Sequence, residues 1–146
     1  MTQLSKYFSL PELVVSQSAA RRGLKNIPFG KQLDNLRSTA EKMDAIREML
    51  GKPVLVSSGY RNAEVNALVG GSKTSAHLQG LAVDFTCPGY GSPLAVAKAV
   101  LAMGIEFDQL IHEYGAWVHI GFAEPGKPSR RQTLTINKRG TLAGLQ

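Results

Sequence analysis

A chain of 146 residues fits one domain, and with 43% hydrophobic and 19% charged residues its composition excludes disordered, collagen-like and fibrous classes. Its single cysteine, Cys87, excludes an internal disulfide and a cysteine-built zinc site, so any metal must be held by histidine and carboxylate. The formal charge is +6, and Lys127, Arg130, Arg131, Lys138 and Arg139 supply +5 of it from an acid-free segment, 125–146, which suits a polyanionic partner.

No dense basic run with interleaved aromatics is present, so nucleic acid is not an expected partner. No apolar stretch approaches the ~20 residues that span a bilayer, and the first residues lack a signal-peptide apolar region, so the cytoplasm is the expected location. Ser9 and Glu12 have capping-box spacing and open a short helix over 11–15, and a further helical turn is expected over 18–22, ending at Gly23. From 31 to 50, Leu33, Leu36, Ala40, Met43, Ile46 and Leu50 recur at helical spacing, closed by Gly51 and Pro53. A strand is expected over 54–60, a short helix over 62–68 and a loop at Gly70, Gly71 and Ser72.

The period then changes to two. Leu81, Val83, Phe85 and Cys87 alternate with Ala82, Asp84 and Thr86, so a strand here buries the first set and aims Asp84 at the opposite face. Ser92 and Pro93 start a helix to Met103, stopped by Gly104. Runs at 107–114 and 117–122 flank Gly115 and Ala116 as a hairpin, and a last strand at 132–137 leads into a polar tail. The pattern predicts an α+β domain over 1–146, with helices around a small, mainly antiparallel sheet and a basic segment at about 125–146.

Only three histidines occur, at 77, 112 and 119. His77 lies in Ser75-Ala-His77-Leu-Gln-Gly80-Leu-Ala82-Val-Asp84, where Gly80 lets the chain turn so that a loop histidine and a strand aspartate converge. His119 ends Trp117-Val-His119 on the hairpin. Two imidazoles and one carboxylate leave a position open on a tetrahedral zinc ion, as a catalytic site needs.

Ser75, His77, Gly80, Ala82 and Asp84 reproduce an S-x-H-x-x-G-x-A-x-D motif. With it the chain resembles the zinc D-Ala-D-Ala carboxypeptidases and L-Ala-D-Glu endopeptidases that cut peptidoglycan stem peptides. Trp117-Val-His119 matches their second histidine motif, and Ser58-Gly59-Tyr60-Arg61 looks like their S-G-Y-R segment, whose arginine faces the scissile peptide. Phe8-Ser9-Leu10-Pro11-Glu12-Leu13 is similar to the start of phage members. The likeness runs from about Tyr7 to Phe122. It implies a Hedgehog/DD-peptidase-like fold, Zn2+ held by His77, Asp84 and His119, and a monomeric phage endolysin. Such an endolysin would wait in the host cytoplasm until a membrane lesion releases it to the cell wall, where its basic segment would meet anionic wall or outer-membrane polymers.

Relatives often carry the catalytic acid three residues before the second histidine, where this chain has Ala116. The nearest carboxylate is Glu113, and its place depends on the hairpin. A two-residue loop at 115–116 makes His112 face His119 and turns Glu113 away; a three-residue loop at 114–116 pairs Glu113 with Trp117 and puts it on the face of His119. The second register is the expected one. Glu113 would then take a proton from the attacking water and return it to the leaving amine, and Arg61 would polarise the scissile carbonyl. Tyr60, Ser75 and Trp117 complete the expected substrate contacts, although Ser75 suits a turn cap and Trp117 a core position equally well. His112 is expected to be structural or exposed, and Cys87 to be an inert buried thiol. Because a metal site on this fold need not hydrolyse anything, a zinc-stabilised binding or virion module is the alternative. The seven-residue separation of His77 and Asp84 argues against an iron oxygenase, whose first pair is His-x-Asp.

Overall fold

The computed structural model describes residues 2–146. Two short helices come first, α1 (Leu10–Leu13) and α2 (Gln17–Arg21). The Ser9 hydroxyl accepts from the Glu12 amide and the Glu12 carboxylate accepts from the Ser9 amide at 3.1 Å, which completes the expected capping box. The long helix α3 (Lys31–Leu50) has the predicted bounds and ends in left-handed Gly51. It buries Leu36, Ala40, Met43, Ile46 and Leu50, and each of the four larger side chains among them contributes about 1.5–3 kcal/mol when fully buried.

There follow β1 (Leu55–Ser58), α4 (Ala63–Leu68) capped by Asn62, a 3-10 turn (Ala76–Gln79) and β2 (Ala82–Thr86). Then come α5 (Pro93–Ala102) capped by Ser92, β3 (Gln109–Glu113), β4 (Trp117–Gly121), β5 (Gln132–Asn137) and β6 (Gly140–Ala143). The fold is α+β, with one six-stranded sheet in the order β1-β2-β4-β3-β5-β6. All neighbours are antiparallel except β3 and β5, which run parallel.

Residues paired directly across a sheet share a face, so the register sorts the two sides. Val83 with Ile120, Phe85 with Val118, and Leu110 form the buried side, packed with α3 and α5 into the hydrophobic core. Asp84 lies opposite His119 and Glu113 opposite Trp117 on the other side. The hairpin loop has three residues, with Tyr114 and Gly115 both at positive φ and the Ala116 amide donating to the Glu113 carbonyl. This is the register that carries Glu113 to the face of His119.

The structure departs from expectation at two places. The first strand stops at Ser58, because the Tyr60 amide leaves the ladder to donate to the Leu13 carbonyl at 2.8 Å. The polar tail is in fact β6, paired with β5 from Leu134 and Ala143 to Asn137 and Gly140. The basic segment is therefore largely built into the sheet. Arg130 is paired with Asp108 at 2.7 Å, Lys127 with Glu124 at 3.5 Å, and Arg131 lies over the Phe107 ring and donates to the Ile105 carbonyl. Among the described residues, Lys138 and Arg139, at the β5–β6 turn, are the cations of that segment without such a partner.

Candidate metal centre

Asp84 and His119 are brought together by register, since β2 and β4 place them directly opposite one another. His119 Nδ1 lies 2.8 Å from Asp84 Oδ1. His77 arrives from the 3-10 turn, its Nε2 at 3.2 Å from the same oxygen. One ligand atom from each of the three residues lies within 4.8 Å of the others.

Two close approaches hold His77 there. The turn is clamped by α3, where the Thr39 hydroxyl donates to the Gly80 carbonyl at 2.7 Å and the Asn35 amide donates to the Gln79 carbonyl at 2.9 Å. Gly80 has φ +73, and a Cβ on it would lie 2.6 Å from the Gln32 carbonyl oxygen. On the other side, Gly59 runs so near α1 that a Cβ would lie 2.3 Å from the Leu13 oxygen, and its own carbonyl oxygen sits 2.6 Å from His77 Nδ1. Gly80→Ala is expected to destabilise the protein by at least about 1–2 kcal/mol through the left-handed backbone alone. Denaturant titration measures this, and zinc affinity should fall with it because His77 rides on the same turn.

The donor set fits a metal ion. A carbonyl only accepts, so the Gly59 oxygen fixes the His77 proton on Nδ1. Burial pushes the His77 pKa below its ordinary value, so at neutral pH the ring is neutral and its bare Nε2 lone pair faces a carboxylate oxygen. Two acceptors at 3.2 Å repel unless a cation lies between them. Burial opposes ionisation of Asp84, but the hydrogen bond from His119 Nδ1 at 2.8 Å leads the contacts that outweigh it and hold the carboxyl well below the usual range. The Asp84 carboxyl is thus an anion at neutral pH, as a metal-binding carboxylate must be.

Glu113 Oε1 stands 4.0 Å from His119 Nδ1, and burial raises the Glu113 pKa above the ordinary carboxylate value. Arg61 donates from Nη2 to the Ser75 hydroxyl at 3.3 Å, while its buried Nε has no partner among the described residues. Burial lowers the Arg61 pKa, with Asp84 and Glu113 opposing that shift. Ser75 caps the 3-10 turn through its hydroxyl and also lines the cleft. Trp117 lines the cleft too, its buried indole N–H lacking a partner among the described residues. These groups surround a cavity of about 590 Å³.

Tyr60 is corrected. It was expected at the substrate, but its side chain is packed in the hydrophobic core, 6% exposed, and burial raises its pKa. The turn from Gly59 to Arg61 sends adjacent side chains to opposite sides, and Arg61 takes the cleft. His112 lies on the face opposite His119 and bonds the Gln146 carbonyl at 3.0 Å. Cys87 is buried, as expected.

Sequence reasoning missed Asp108, Gln109, Arg130 and Ile136 at the far wall of the cleft. Gln109 and Ile111 share the period-two face of Glu113, a signal present in the sequence; the arrival of Arg130 and Ile136 depends on the β3–β5 pairing, which no local pattern announces.

A family model described as Peptidase M15 matches residues 6–121, a span that holds every residue of the His77–Asp84–His119 cluster together with Arg61 and Glu113. No curated protein matches the chain.

Proposed function

Because the chain belongs to the Peptidase M15 family, whose members are zinc peptidases, we propose that it hydrolyses peptide bonds in peptidoglycan stem peptides. The observation that carries this reading is the convergence of His77, Asp84 and His119 at the floor of a cleft that also holds Glu113 and Arg61. Bound to these three ligands, zinc would supply a Lewis acid that polarises a carbonyl and makes a water more acidic. Glu113 would accept a proton from the attacking water and deliver it to the leaving amine, a role supported by its partly buried carboxylate on the face of His119. Arg61 presents its guanidinium, with an unpartnered Nε, where negative charge grows on the carbonyl oxygen. Glu113 supplies the carboxylate that Ala116 lacks, which favours hydrolysis over a non-hydrolytic binding or virion module of the same fold.

In this reading the protein is a monomeric phage endolysin that reaches the wall from the host cytoplasm after a membrane lesion. The direct test is digestion of purified peptidoglycan by the zinc-loaded protein, followed by mass analysis of the products. Loss of one D-Ala marks a carboxypeptidase, and a break after L-Ala marks an endopeptidase. If the zinc-loaded protein releases no fragment, the hydrolytic reading fails and the binding module stands.

Lys138 and Arg139 are the cations of the basic segment left free to meet anionic wall polymers. Replacing both by Gln is expected to weaken low-salt adsorption to whole walls, with a loss that shrinks as salt screens the contact, while turnover of a small soluble muropeptide stays near the parent value. Arg130→Gln should instead slow both substrates, because Arg130 lines the cleft and is tied to Asp108.

A further inference from the structure

The connection between α2 and α3 displays its apolar side chains outward. Ile27 is 62% exposed and Phe29 77% exposed, while the alternate residues Asn26 and Pro28 are buried. The outward pose is enforced by anchoring. The Asn26 side-chain amide donates to the Val14 carbonyl at 2.9 Å and the Tyr60 carbonyl at 2.8 Å, and its oxygen accepts from the Asn62 amide at 2.9 Å. The Asn62 side chain in turn donates to the Lys25 carbonyl at 2.7 Å. With Asn26 and Pro28 locked inside, Ile27 and Phe29 have no route to the core.

Along this segment of the chain the charge has one sign. No acidic residue occurs between Glu12 and Asp34, while Arg21, Arg22, Lys25 and Lys31 are all exposed and form no ion pair among the described residues. A polyanion without an apolar layer would be bound by the cations alone and gives Ile27 and Phe29 nothing to enter. A protein partner of ordinary interface size needs roughly 800 Å² on each side, more than two protruding side chains on one loop supply. An anionic bilayer surface satisfies both observations, because its boundary takes up small apolar insertions and its headgroups attract lysine and arginine, each strengthening binding about fivefold. We propose that this loop docks the protein on an anionic lipid surface, with Ile27 and Phe29 inserted and Arg21, Arg22, Lys25 and Lys31 on the headgroups. The proposal stands apart from the peptidase reading, since it uses no residue of the metal cleft.

Co-sedimentation with vesicles tests it. The parent protein should partition at least tenfold more strongly onto vesicles of phosphatidylglycerol and phosphatidylcholine than onto phosphatidylcholine alone, and less so as salt is raised. Ile27→Ser with Phe29→Ser should lose at least tenfold of that partition, as should Arg21→Gln with Arg22→Gln and Lys25→Gln. Thermal midpoint and zinc content should be unchanged in both variants, because the replaced side chains are exposed. Equal partition of the parent onto both vesicle types, no partition at all, or full binding by the Ile27/Phe29 variant would overturn the proposal. So would a parent that ignores vesicles but self-associates through these two residues, which would give the surface to a second copy of the chain.

Discussion

Glu113→Gln is expected to lower turnover of a muropeptide at least ~10²-fold while the protein keeps its zinc and its fold, the scale on which loss of a general base is felt. Glutamine keeps the size and the hydrogen-bonding capacity of the side chain but cannot accept the proton. Steady-state kinetics with zinc content measured on the same sample decides the matter; near-parental hydrolysis by Glu113→Gln would remove the residue from the base position. The same substitution has a stability signature. Burial raises the Glu113 pKa in the folded chain, so ionisation costs folded stability once the pH passes the unfolded value near 4.5. In the metal-free protein Glu113→Gln should therefore be more stable than the parent at neutral pH, and this advantage should vanish below that value. A group that costs the fold stability and serves the chemistry is what a functional carboxylate looks like in a denaturation experiment.

Removing a ligand should cost more than removing the base. His77→Ala, Asp84→Ala and His119→Ala are each expected to abolish stoichiometric zinc binding, a larger effect than the ~10–100-fold of changing a group that merely orients a ligand. The parent should bind one zinc ion per chain, and elemental analysis reads both numbers. Full zinc occupancy in His77→Ala or His119→Ala would show the ligand assignment to be wrong. Because the three side chains come from the 3-10 turn, β2 and β4, a zinc ion held by them would tie separate elements together. At free zinc a thousandfold above Kd the ion adds about 4 kcal/mol to folding stability, so chelation should lower the melting temperature visibly.

The parts of this architecture that depend on local chemistry were legible in the sequence. Helix α3 is announced by its apolar period and its Gly51 stop, and the bounds hold to the residue. The hairpin and the alternation of β2 were readable for the same reason, and together they put Asp84, His119 and Glu113 on one face. What escaped reading depends on contacts between distant segments. Tyr60 could not be told from Arg61 as a cleft residue until the Leu13 carbonyl was seen to hold the Tyr60 backbone. Thr39 and Asn35 look like ordinary helix residues, yet their side chains clamp the turn that carries His77. Strand β6 is short and polar, with mostly exposed residues, and only its pairing with β5 makes it a strand.

The parallel pairing of β5 with β3 also sets an order of events during synthesis. Every residue of the His77–Asp84–His119 cluster and the Glu113 carboxylate precede residue 120, whereas the strand that seals the open side of β3 begins at Gln132. A nascent chain released to about Phe122 can already close the β2–β4–β3 ladder and gather the His77–Asp84–His119 cluster, but it presents β3 as a bare edge carrying Leu110 and Ile111. Unpaired edges of this kind recruit other chains. The ten residues from Phe122 to Arg131 thus act as a timing element. The faster they pass round the N-terminal end of β3 and seat β5, the shorter the interval in which an assembled but unsealed sheet can meet its neighbours on a polysome.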